Sequence, residues 1–393
     1  MSAPGRVFHV FPYDPRHLGQ SFDRWAASQV ERWPLAAIRA SRSATRSTVH
    51  VLGPRSRTAS ASPLEIIEHF SLTTGPRFRD WGDDWSFGLE RALARLGSDD
   101  VCVIHLNDYA AARLTQRAAA GSRVVIVFHG RGLGRFDQHV ASADLLVVLR
   151  EDAAAELRAR GARPEQVAVL VPSVDQATFA PDAGESADDG PARLGFIGRL
   201  ERSKGVFDIP PLLAHLASEG LAARAELAGP FSVEQRAALE EAAALIGVQD
   251  RIDVLGELRS AELAGRMREW RVLLLPSYTE GHPLVALEAC ASRVPVAAVQ
   301  GVLPAELERR PAVHVAPRER YGELVSGLLR DAGRPAFDEW VRDHEAAAAE
   351  WDALLERLPR WCQRARPPVS RLRRARRLRP PRRLARALLR HHR

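Results

Sequence analysis

The strongest constraint on the fold of this chain is a regular alternation of short apolar runs with amphipathic helical stretches. Strands that alternate with helices are typical of parallel sheets covered by helices. The predicted strands are 7–11, 48–52, 101–106, 124–128, 145–149 and 167–171, followed by 194–197, 225–228, 252–255, 272–275, 296–299 and 313–315. The predicted helices include 87–96, 152–160, 232–246, 261–270, 283–292 and 321–330.

An acidic segment rich in Gly and Pro interrupts this alternation, and a chain of 393 residues is too long for one core. We therefore predict an α/β protein with two doubly wound domains that face each other across a cleft. The predicted parts are an N-terminal domain, 1–180, a linker, 181–192, a C-terminal domain, 193–335, a helix across the domain junction, 336–365, and a basic tail, 366–393.

Ligands of doubly wound sheets bind beyond the carboxyl ends of the strands, and the most informative strand end is at Pro276. Pro283 suits the first position of the helix that follows, where its missing N–H costs nothing. The amides of Gly281, His282 and Leu284 would then be free at a helix start, where the helix dipole favours anions. The pattern predicts a site for a diphosphate.

Two glutamates accompany this helix start: Glu280 lies just before it and Glu288 lies further along it. A carboxylate beside a phosphate site is unfavourable unless it accepts hydrogen bonds from hydroxyls, which a sugar and a ribose supply. The alternatives are a helix-start carboxylate favoured by the dipole for Glu280 and a solvent-facing helical residue for Glu288.

A second cluster of charge follows the predicted strand 194–197, where Arg199 and Lys204 lie between Gly198 and Gly205. An arginine offers a planar fork of donors and a lysine a compact charge, and the two together can neutralise a leaving diphosphate. The alternative is an ordinary surface turn.

These two segments resemble a known family. GlyArgLeu-x-x-x-LysGly at 198–205, followed by Ser-x-x-GluGly-x-Pro-x-x-x-x-GluAla at 277–289, is similar to the retaining glycosyltransferases of family 4. The resemblance implies the GT-B fold of two Rossmann-like domains, with the donor in the C-terminal domain and the acceptor side in the N-terminal domain.

The resemblance also implies residue roles. In the family, the Arg and Lys of the first motif hold the donor diphosphate, which assigns that role to Arg199 and Lys204. The first Glu of the second motif contacts the transferred sugar and the second holds the ribose, which assigns these roles to Glu280 and Glu288.

Three further positions follow from the resemblance. His129 ends a predicted strand where the family has a His that contacts the donor sugar and phosphate; the alternative is a His that caps the strand end. Gly19 stands where the family has a glycine pair near the donor phosphates. Gly256 lies in one of the two loops, 228–230 and 255–258, that border the base.

Two departures from the family pattern concern helix ends. Pro210 and Pro211 interrupt the expected helix after the first motif, and Asp208 is expected to restart it as an N-cap residue. Arg293 stands at a helix end where the family has Gly.

The predicted reaction is transfer of a hexose-type unit from a UDP- or GDP-sugar to a hydroxyl, with retention implied by the resemblance. No cofactor or metal is predicted to be required, because the acidic pairs at 83–84 and 188–189 do not follow predicted strands. The alternatives are another GT-B enzyme, an epimerase or a phosphorylase, or a non-catalytic scaffold that uses its basic tail.

The charge is unevenly distributed. Residues 366–393 contain 12 arginines and no acidic residue, so the rest of the chain has a net charge of −5, although the whole chain has +7. Leucines lie among these arginines, and the tail is interpreted either as a disordered solubilising segment or as a surface for anionic lipid. The second interpretation favours a lipid-linked or cell-envelope glycan acceptor. Nucleic acid is the least favoured partner, because the body is acidic.

The expected location is the cytoplasm, or the inner face of the cell membrane if the tail binds lipid. No run of about 20 apolar residues is present, and no apolar signal region follows Met1. Cys102, Cys290 and Cys362 have no paired spacing and are expected to be free thiols in a reducing compartment.

Overall fold

The computed structural model describes residues 5–12, 15, 21–71, 86–106, 119–130, 138–181, 190–331, 333, 335–336 and 339–358. The expectations for Gly19, for the acidic pairs at 83–84 and 188–189, for Cys362 and for the tail 366–393 concern residues outside these ranges. Both sheets described below belong to one compact unit, Met1–Arg360.

The first sheet has eight strands in the order β3-β4-β2-β1-β5-β6-β7-β8. They are β1 (Val7–Phe11), β2 (Ser47–Gly53), β3 (Arg57–Ala61), β4 (Leu64–Phe70), β5 (Val101–Leu106), β6 (Arg123–Phe128), β7 (Leu145–Val148) and β8 (Val167–Val169). Only β3 and β4 pair antiparallel. The six predicted strands are present. The prediction misses β3 and β4, because their segments, RTASA and LEIIEHF, interleave polar and apolar residues and contain no long apolar run.

The second sheet has six parallel strands in the order β11-β10-β9-β12-β13-β14. They are β9 (Ala192–Ile197), β10 (Ala223–Ala228), β11 (Ile252–Gly256), β12 (Val272–Leu275), β13 (Val296–Val299) and β14 (Val313–Ala316). All six predicted strands are confirmed, and β12 and β13 agree with the prediction at both ends.

Strand β6 shows why such apolar runs become central strands. Val124 and Ile126 pack into one hydrophobic core, whereas Val125 and Val127 pack into another. Successive side chains of a strand point to opposite faces, so a strand covered on both faces must be apolar at every position. The α/β class with two mainly parallel sheets is confirmed.

Twelve α-helices occur in the described part of the chain. They are α1 (Phe22–Gln29), α2 (Leu35–Ala40), α3 (Phe87–Leu93), α4 (Gln138–Ala141), α5 (Glu151–Ala159), α6 (Ile209–Ser218), α7 (Val233–Ile246), α8 (Ser260–Glu269), α9 (Leu284–Ala291), α10 (Ala305–Glu308), α11 (Tyr321–Arg330) and α12 (His344–Arg357). Within the same residues, no helix is both long and apolar enough to cross a membrane.

Local sequence explains several helix ends. Asp208 is the N-cap residue of α6, as expected, and the two prolines that follow lie in its first turn, where they cost little. Pro283 is the N-cap residue of α9 and not its first helical residue, so this prediction is wrong by one position. Arg293 adopts a φ of +58°, the left-handed conformation that explains why Gly is usual there.

The predicted helix over the last part of the body is shorter than expected, because α12 begins at His344, where the side chain of Asp343 accepts a hydrogen bond from the backbone N–H of Ala346 (2.7 Å). Before the helix, Val341 packs into a core of the second sheet, whereas Trp351 packs into a core of the first. The segment therefore contacts both cores.

Candidate functional site

Loops at the carboxyl edge of the second sheet are joined by backbone hydrogen bonds. The N–H of Gly198 donates to the carbonyl of Ala228 (2.9 Å), and that of Gly229 donates to the carbonyl of Gly256 (2.8 Å). Gly229 has a φ of +139°, and a Cβ there would lie 2.1 Å from the carbonyl oxygen of Gly198. The loops after β9, β10 and β11 therefore meet through glycines, and Gly256 belongs to this edge.

The loop after β9 also contacts the loop after β12. Gly205 has a φ of +71°, and a Cβ there would lie 2.0 Å from the carbonyl oxygen of Pro276. The N–H of Tyr278 donates to the carbonyl of Ser203 (2.9 Å). These contacts place Lys204 against the segment that leads into α9.

Lys204 and Glu280 form a direct ion pair at this junction. Lys204 Nζ lies 2.9 Å from Oε1 and 2.8 Å from Oε2 of Glu280, and the hydroxyl of Ser277 donates to Oε1 (2.6 Å). Glu280 is 7% exposed, so its charge depends on these donors. The two motifs that lie far apart in the sequence thus share one carboxylate.

The start of α9 contains the other predicted donor-site residues. Leu284 is the first helical residue, and Gly281 and His282 precede the cap. His282 is buried, and neither ring nitrogen has a partner among the described residues. Burial lowers the pKa of His282 to about 4, and the charge of Arg150 contributes to the same shift, so the ring is neutral at pH 7.

Arg150 connects the first sheet to this helix start. It follows β7 and caps α5, and its Nη1 lies 3.4 Å from the carbonyl oxygens of both Glu280 and Gly281. Its guanidinium also pairs with Asp152. The prediction misses Arg150, although it directly follows the predicted strand 145–149, much as Arg199 follows the predicted strand 194–197.

Glu288 is buried, which contradicts the interpretation of a solvent-facing helical residue. It is 2% exposed, its Oε2 has no hydrogen-bond partner among the described residues, and Oε1 lies 3.6 Å from the guanidinium of Arg32. Burial raises the pKa of Glu288, and Arg32 partly opposes the shift. A buried carboxylate with an unpartnered oxygen can accept a hydrogen bond from a ligand hydroxyl.

Arg199 is not part of the Lys204–Glu280 cluster. Its side chain is half exposed and pairs with Glu201 at 3.1 Å. The structure therefore brings Lys204, Ser277 and Glu280 together. Arg199 lies on the same loop as Lys204, after β9, but outside this cluster.

His129 lies at the carboxyl edge of the first sheet. It directly follows Phe128, which pairs in register with Val148 of β7, so His129 and Arg150 lie at the same edge. His129 Nε2 lies 2.9 Å from Nδ1 of His105. Burial lowers the pKa of His129 to about 4.

No cluster of three or more His, Cys, Asp or Glu side chains in the described ranges has the arrangement of a metal site. The polar groups gathered around α9 are one lysine, two arginines, two carboxylates, a hydroxyl and a neutral imidazole. Such a set can neutralise an anion and accept hydrogen bonds from hydroxyls on one ligand.

Comparison with solved structures agrees with this architecture. Anabaena HepE in complex with UDP and glucose is similar with a TM-score of 0.64 at 15% identity, covering 90% of this chain and 100% of that one. Sucrose-phosphate synthase from Thermosynechococcus elongatus is similar with a TM-score of 0.59 at 16% identity, covering 94% and 98%. The chain has the GT-B fold.

The C-terminal half of the chain also matches a sequence family. Residues 182–332 match the family described as glycosyl transferases group 1, so this part of the chain is a domain of that family. D-inositol 3-phosphate glycosyltransferases are similar: that of Streptomyces bingchenggensis is 33% identical over 56% of this chain, and that of Mycobacteroides abscessus 30% identical over 70%. The chain spans 49% and 63% of the lengths of these relatives.

Proposed function

We propose that the chain is a glycosyltransferase that moves a hexose-type unit from a nucleoside diphosphate sugar to an acceptor hydroxyl, with retention of the anomeric configuration. The observation that carries the proposal is the cluster of Lys204, Ser277 and Glu280 at the start of α9, with Glu288 buried further along the same helix.

The charge of this cluster suits a diphosphate. The ammonium group of Lys204 has three N–H donors, and Glu280 accepts two of them, which leaves one for a phosphate oxygen. The amides at the start of α9 and the half-exposed side chain of Arg199 add further donors within reach of the same loop. Stabilising the negative charge that develops on the departing diphosphate is then the main catalytic effect.

The carboxylates suit the two sugars of the donor. Glu280 holds a fixed orientation through three hydrogen bonds and would accept hydroxyls of the transferred sugar. Glu288 has one oxygen without a partner among the described residues and would hold the ribose. Two carboxylates on either side of a diphosphate site support a donor that has one hydroxyl-bearing ring at each end of its diphosphate. The resemblance to family 4 supports retention.

A thermal-shift screen tests the donor, with UDP-, GDP- and ADP-sugars added to the full chain. One group of these donors should raise the melting temperature in proportion to the logarithm of its concentration. UDP-sugars come first, because the similar HepE structure contains UDP and glucose. No stabilisation by any of them would contradict the donor assignment and favour the scaffold interpretation.

Product analysis tests the reaction itself. With a labelled donor and a panel of hydroxyl acceptors, including D-inositol 3-phosphate because relatives carry that name, label should move onto an alcohol. A product on inorganic phosphate would indicate a phosphorylase, and an altered donor sugar an epimerase. The anomeric configuration of the product, read by NMR, decides between retention and inversion.

The basic tail is proposed to bring the enzyme to an anionic membrane surface, at the cytoplasmic face, that presents a lipid-linked or cell-envelope glycan acceptor. Each basic residue near such a surface contributes about 1 kcal/mol. Co-sedimentation with anionic vesicles should therefore be strong for the full chain and weak for a chain ending at Arg366, and neutral vesicles serve as the control. Equal binding by both chains would exclude the tail as the anchor.

A further inference from the structure

Three histidines on neighbouring strands form a continuous chain in the first sheet. His9 lies on β1, His105 on β5, and His129 follows β6, and these strands are adjacent in the order β1-β5-β6. His9 Nδ1 lies 3.1 Å from His105 Nε2, and His105 Nδ1 lies 2.9 Å from His129 Nε2. The resemblance to family 4 implies a role for His129 only, so the other two rings have no assigned role.

All three rings are neutral at pH 7. Burial lowers the pKa of His9 to about 3 and that of His129 to about 4, and the pKa of His105 lies well below its ordinary value for the same reason. A neutral imidazole has one N–H and one lone pair, so each contact in the chain needs one donor and one acceptor. The protons therefore lie either on all three Nδ1 atoms or on all three Nε2 atoms.

The inner end of the chain distinguishes these two arrangements. His9 Nε2 is buried and has no hydrogen-bond partner among the described residues. Protons on Nδ1 leave a lone pair at this atom, whereas protons on Nε2 would leave a buried N–H without an acceptor, which proteins rarely tolerate. The ring of Trp351 lies 5.8 Å from that of His9, and its indole N–H is a buried donor without a partner among the described residues, so this neighbour offers no acceptor for a proton on His9 Nε2.

We propose that His9 and His105 are positioning residues that hold His129 in the tautomer with its proton on Nδ1. His129 then offers a hydrogen-bond donor, not a base, to an oxygen of the bound nucleoside diphosphate sugar. The role of the ligand rests on the proposed function, whereas the tautomer rests on the histidine chain alone.

Packing supports a fixed orientation of the middle ring. Phe11 stacks on His105 with ring centroids 4.2 Å apart and an interplanar angle of 1°. In the described part of the chain, His129 makes its hydrogen bond through Nε2, and the residue is partly exposed. Its Nδ1 is therefore the atom left to meet a ligand.

The tautomer is measured directly on the full chain labelled with ¹⁵N-histidine, without any ligand. Long-range ¹H–¹⁵N NMR at pH 7 should show the protonated-nitrogen signal for Nδ1 and the lone-pair signal for Nε2 of His129. A proton on Nε2 of His129 would overturn the proposal. Because this spectrum needs no donor, its outcome does not depend on whether the chain proves to be a glycosyltransferase.

Variants of the middle ring test the consequence for transfer. His105→Leu removes the donor to His129 and should lower kcat about tenfold with little change in the donor KM, whereas His105→Asn places an amide N–H near the position of Nδ1 and should restore most of the rate. His69→Leu is the matched control, because His69 pairs with His50 in the same sheet without contact to His129.

Melting curves show whether each variant folds. An Asn variant that folds but is as slow as the Leu variant would contradict the role of the N–H, and equal losses in the His69 control would indicate a general effect of packing. If the Leu variant fails to fold, the Asn variant and the spectrum of the native chain decide the question.

Discussion

At the scale of single residues, Lys204 differs from every other basic residue of the chain. It is the only lysine, whereas all the remaining basic residues apart from histidine are arginines. Lysine is a compact charge with three freely arranged donors, whereas arginine offers a planar fork. Its ammonium group contacts both carboxylate oxygens of Glu280, in a loop where a Cβ at Gly205 would lie 2.0 Å from the carbonyl oxygen of Pro276.

Replacing Lys204 tests this requirement. Lys204→Ala should lower kcat/KM by about a hundredfold or more, which is typical for loss of a group that stabilises the departing charge. Lys204→Arg keeps the charge and should recover little of the loss, because a guanidinium pairs with a carboxylate through two parallel N–H groups, which directs its donors at Glu280 and away from a diphosphate. Arg236→Lys, in an exposed ion pair on α7, is the control for an exchange between arginine and lysine outside the site. Full activity of the Arg variant would show that charge alone suffices.

The single lysine also allows a binding assay without turnover. An amine-reactive reagent should modify Lys204 and the terminal amine only, and a saturating nucleoside diphosphate sugar should protect Lys204. Peptide mass spectrometry measures the protection, with the terminal amine as internal reference. Equal modification with and without every donor tested would place the diphosphate elsewhere.

The buried carboxylate of Glu288 is expected to lower the stability of the fold at alkaline pH and to strengthen binding of the donor nucleotide. Its pKa is raised in the folded chain, so the folded state binds more protons than the unfolded state above the ordinary glutamate pKa, and the free energy of unfolding falls as the pH rises through the raised pKa. Glu288→Gln should therefore be more stable than the native chain at alkaline pH. It should also bind the donor nucleotide about tenfold more weakly, because a charged hydrogen-bond acceptor is lost.

Melting temperatures over pH 5–9 and calorimetric titration with the nucleotide measure both effects. Glu323→Gln removes an exposed carboxylate on α11 and is the control for the charge change. A Gln variant with unchanged nucleotide affinity would exclude Glu288 from the site.

At the scale of elements, the site depends on loops brought into contact through glycines. A Cβ at Gly205 would collide with the carbonyl of Pro276, so this glycine sets how closely the loop after β9 approaches that after β12. Both loops leave adjacent strands, because β9 and β12 are neighbours in the sheet. The ion pair between Lys204 and Glu280 is a consequence of this strand order.

Two glycine substitutions separate steric contact from backbone strain. Gly205→Ala combines a positive φ with a collision and should lower both transfer activity and stability, by about 2 kcal/mol or more for stability. Gly220→Ala has a φ of +75° with open space around it, so it should cost about 1 kcal/mol and leave activity intact. Chemical denaturation and rate assays measure these effects. Equal activity of the two variants would contradict the loop-contact argument.

At the scale of the whole molecule, three arginines of the N-terminal half contact the C-terminal half. Arg150 reaches the carbonyls of Glu280 and Gly281, Arg32 lies 3.6 Å from Glu288, and Arg24 pairs with Glu257. Two of these contacts reach loops after strands of the second sheet, and the third reaches Glu288 within α9. The relative position of the two sheets is therefore coupled to that site.

Replacement of Arg150 tests the coupling. Arg150→Met removes both carbonyl contacts and should lower the donor kcat/KM about tenfold, with a smaller effect on melting temperature. Arg158→Met on the exposed side of α5 is the matched control. Unchanged kinetics in the Arg150 variant would show that the contact has no part in donor binding.

The sequence by itself determined the α/β class and the positions along the chain of twelve of the fourteen described strands, because central parallel strands must be apolar at every position. It also pointed to the residues around α9, because the order Glu280, Gly281 and Pro283 marks a helix start suited to a polar ligand. It did not reveal β3 and β4, whose segments interleave polar and apolar residues and contain no long apolar run.

Only the tertiary structure decided which of those residues meet. Segments far apart in sequence meet in the pairing of Lys204 with Glu280, in the contact of Arg150 with the start of α9, and in the histidine chain. The burial of Glu288 likewise depends on the packing around α9. Strand order and the packing of one sheet against the other set these distances. A local pattern can state what a residue is able to do, but its neighbours in space determine its charge, its tautomer and its partner.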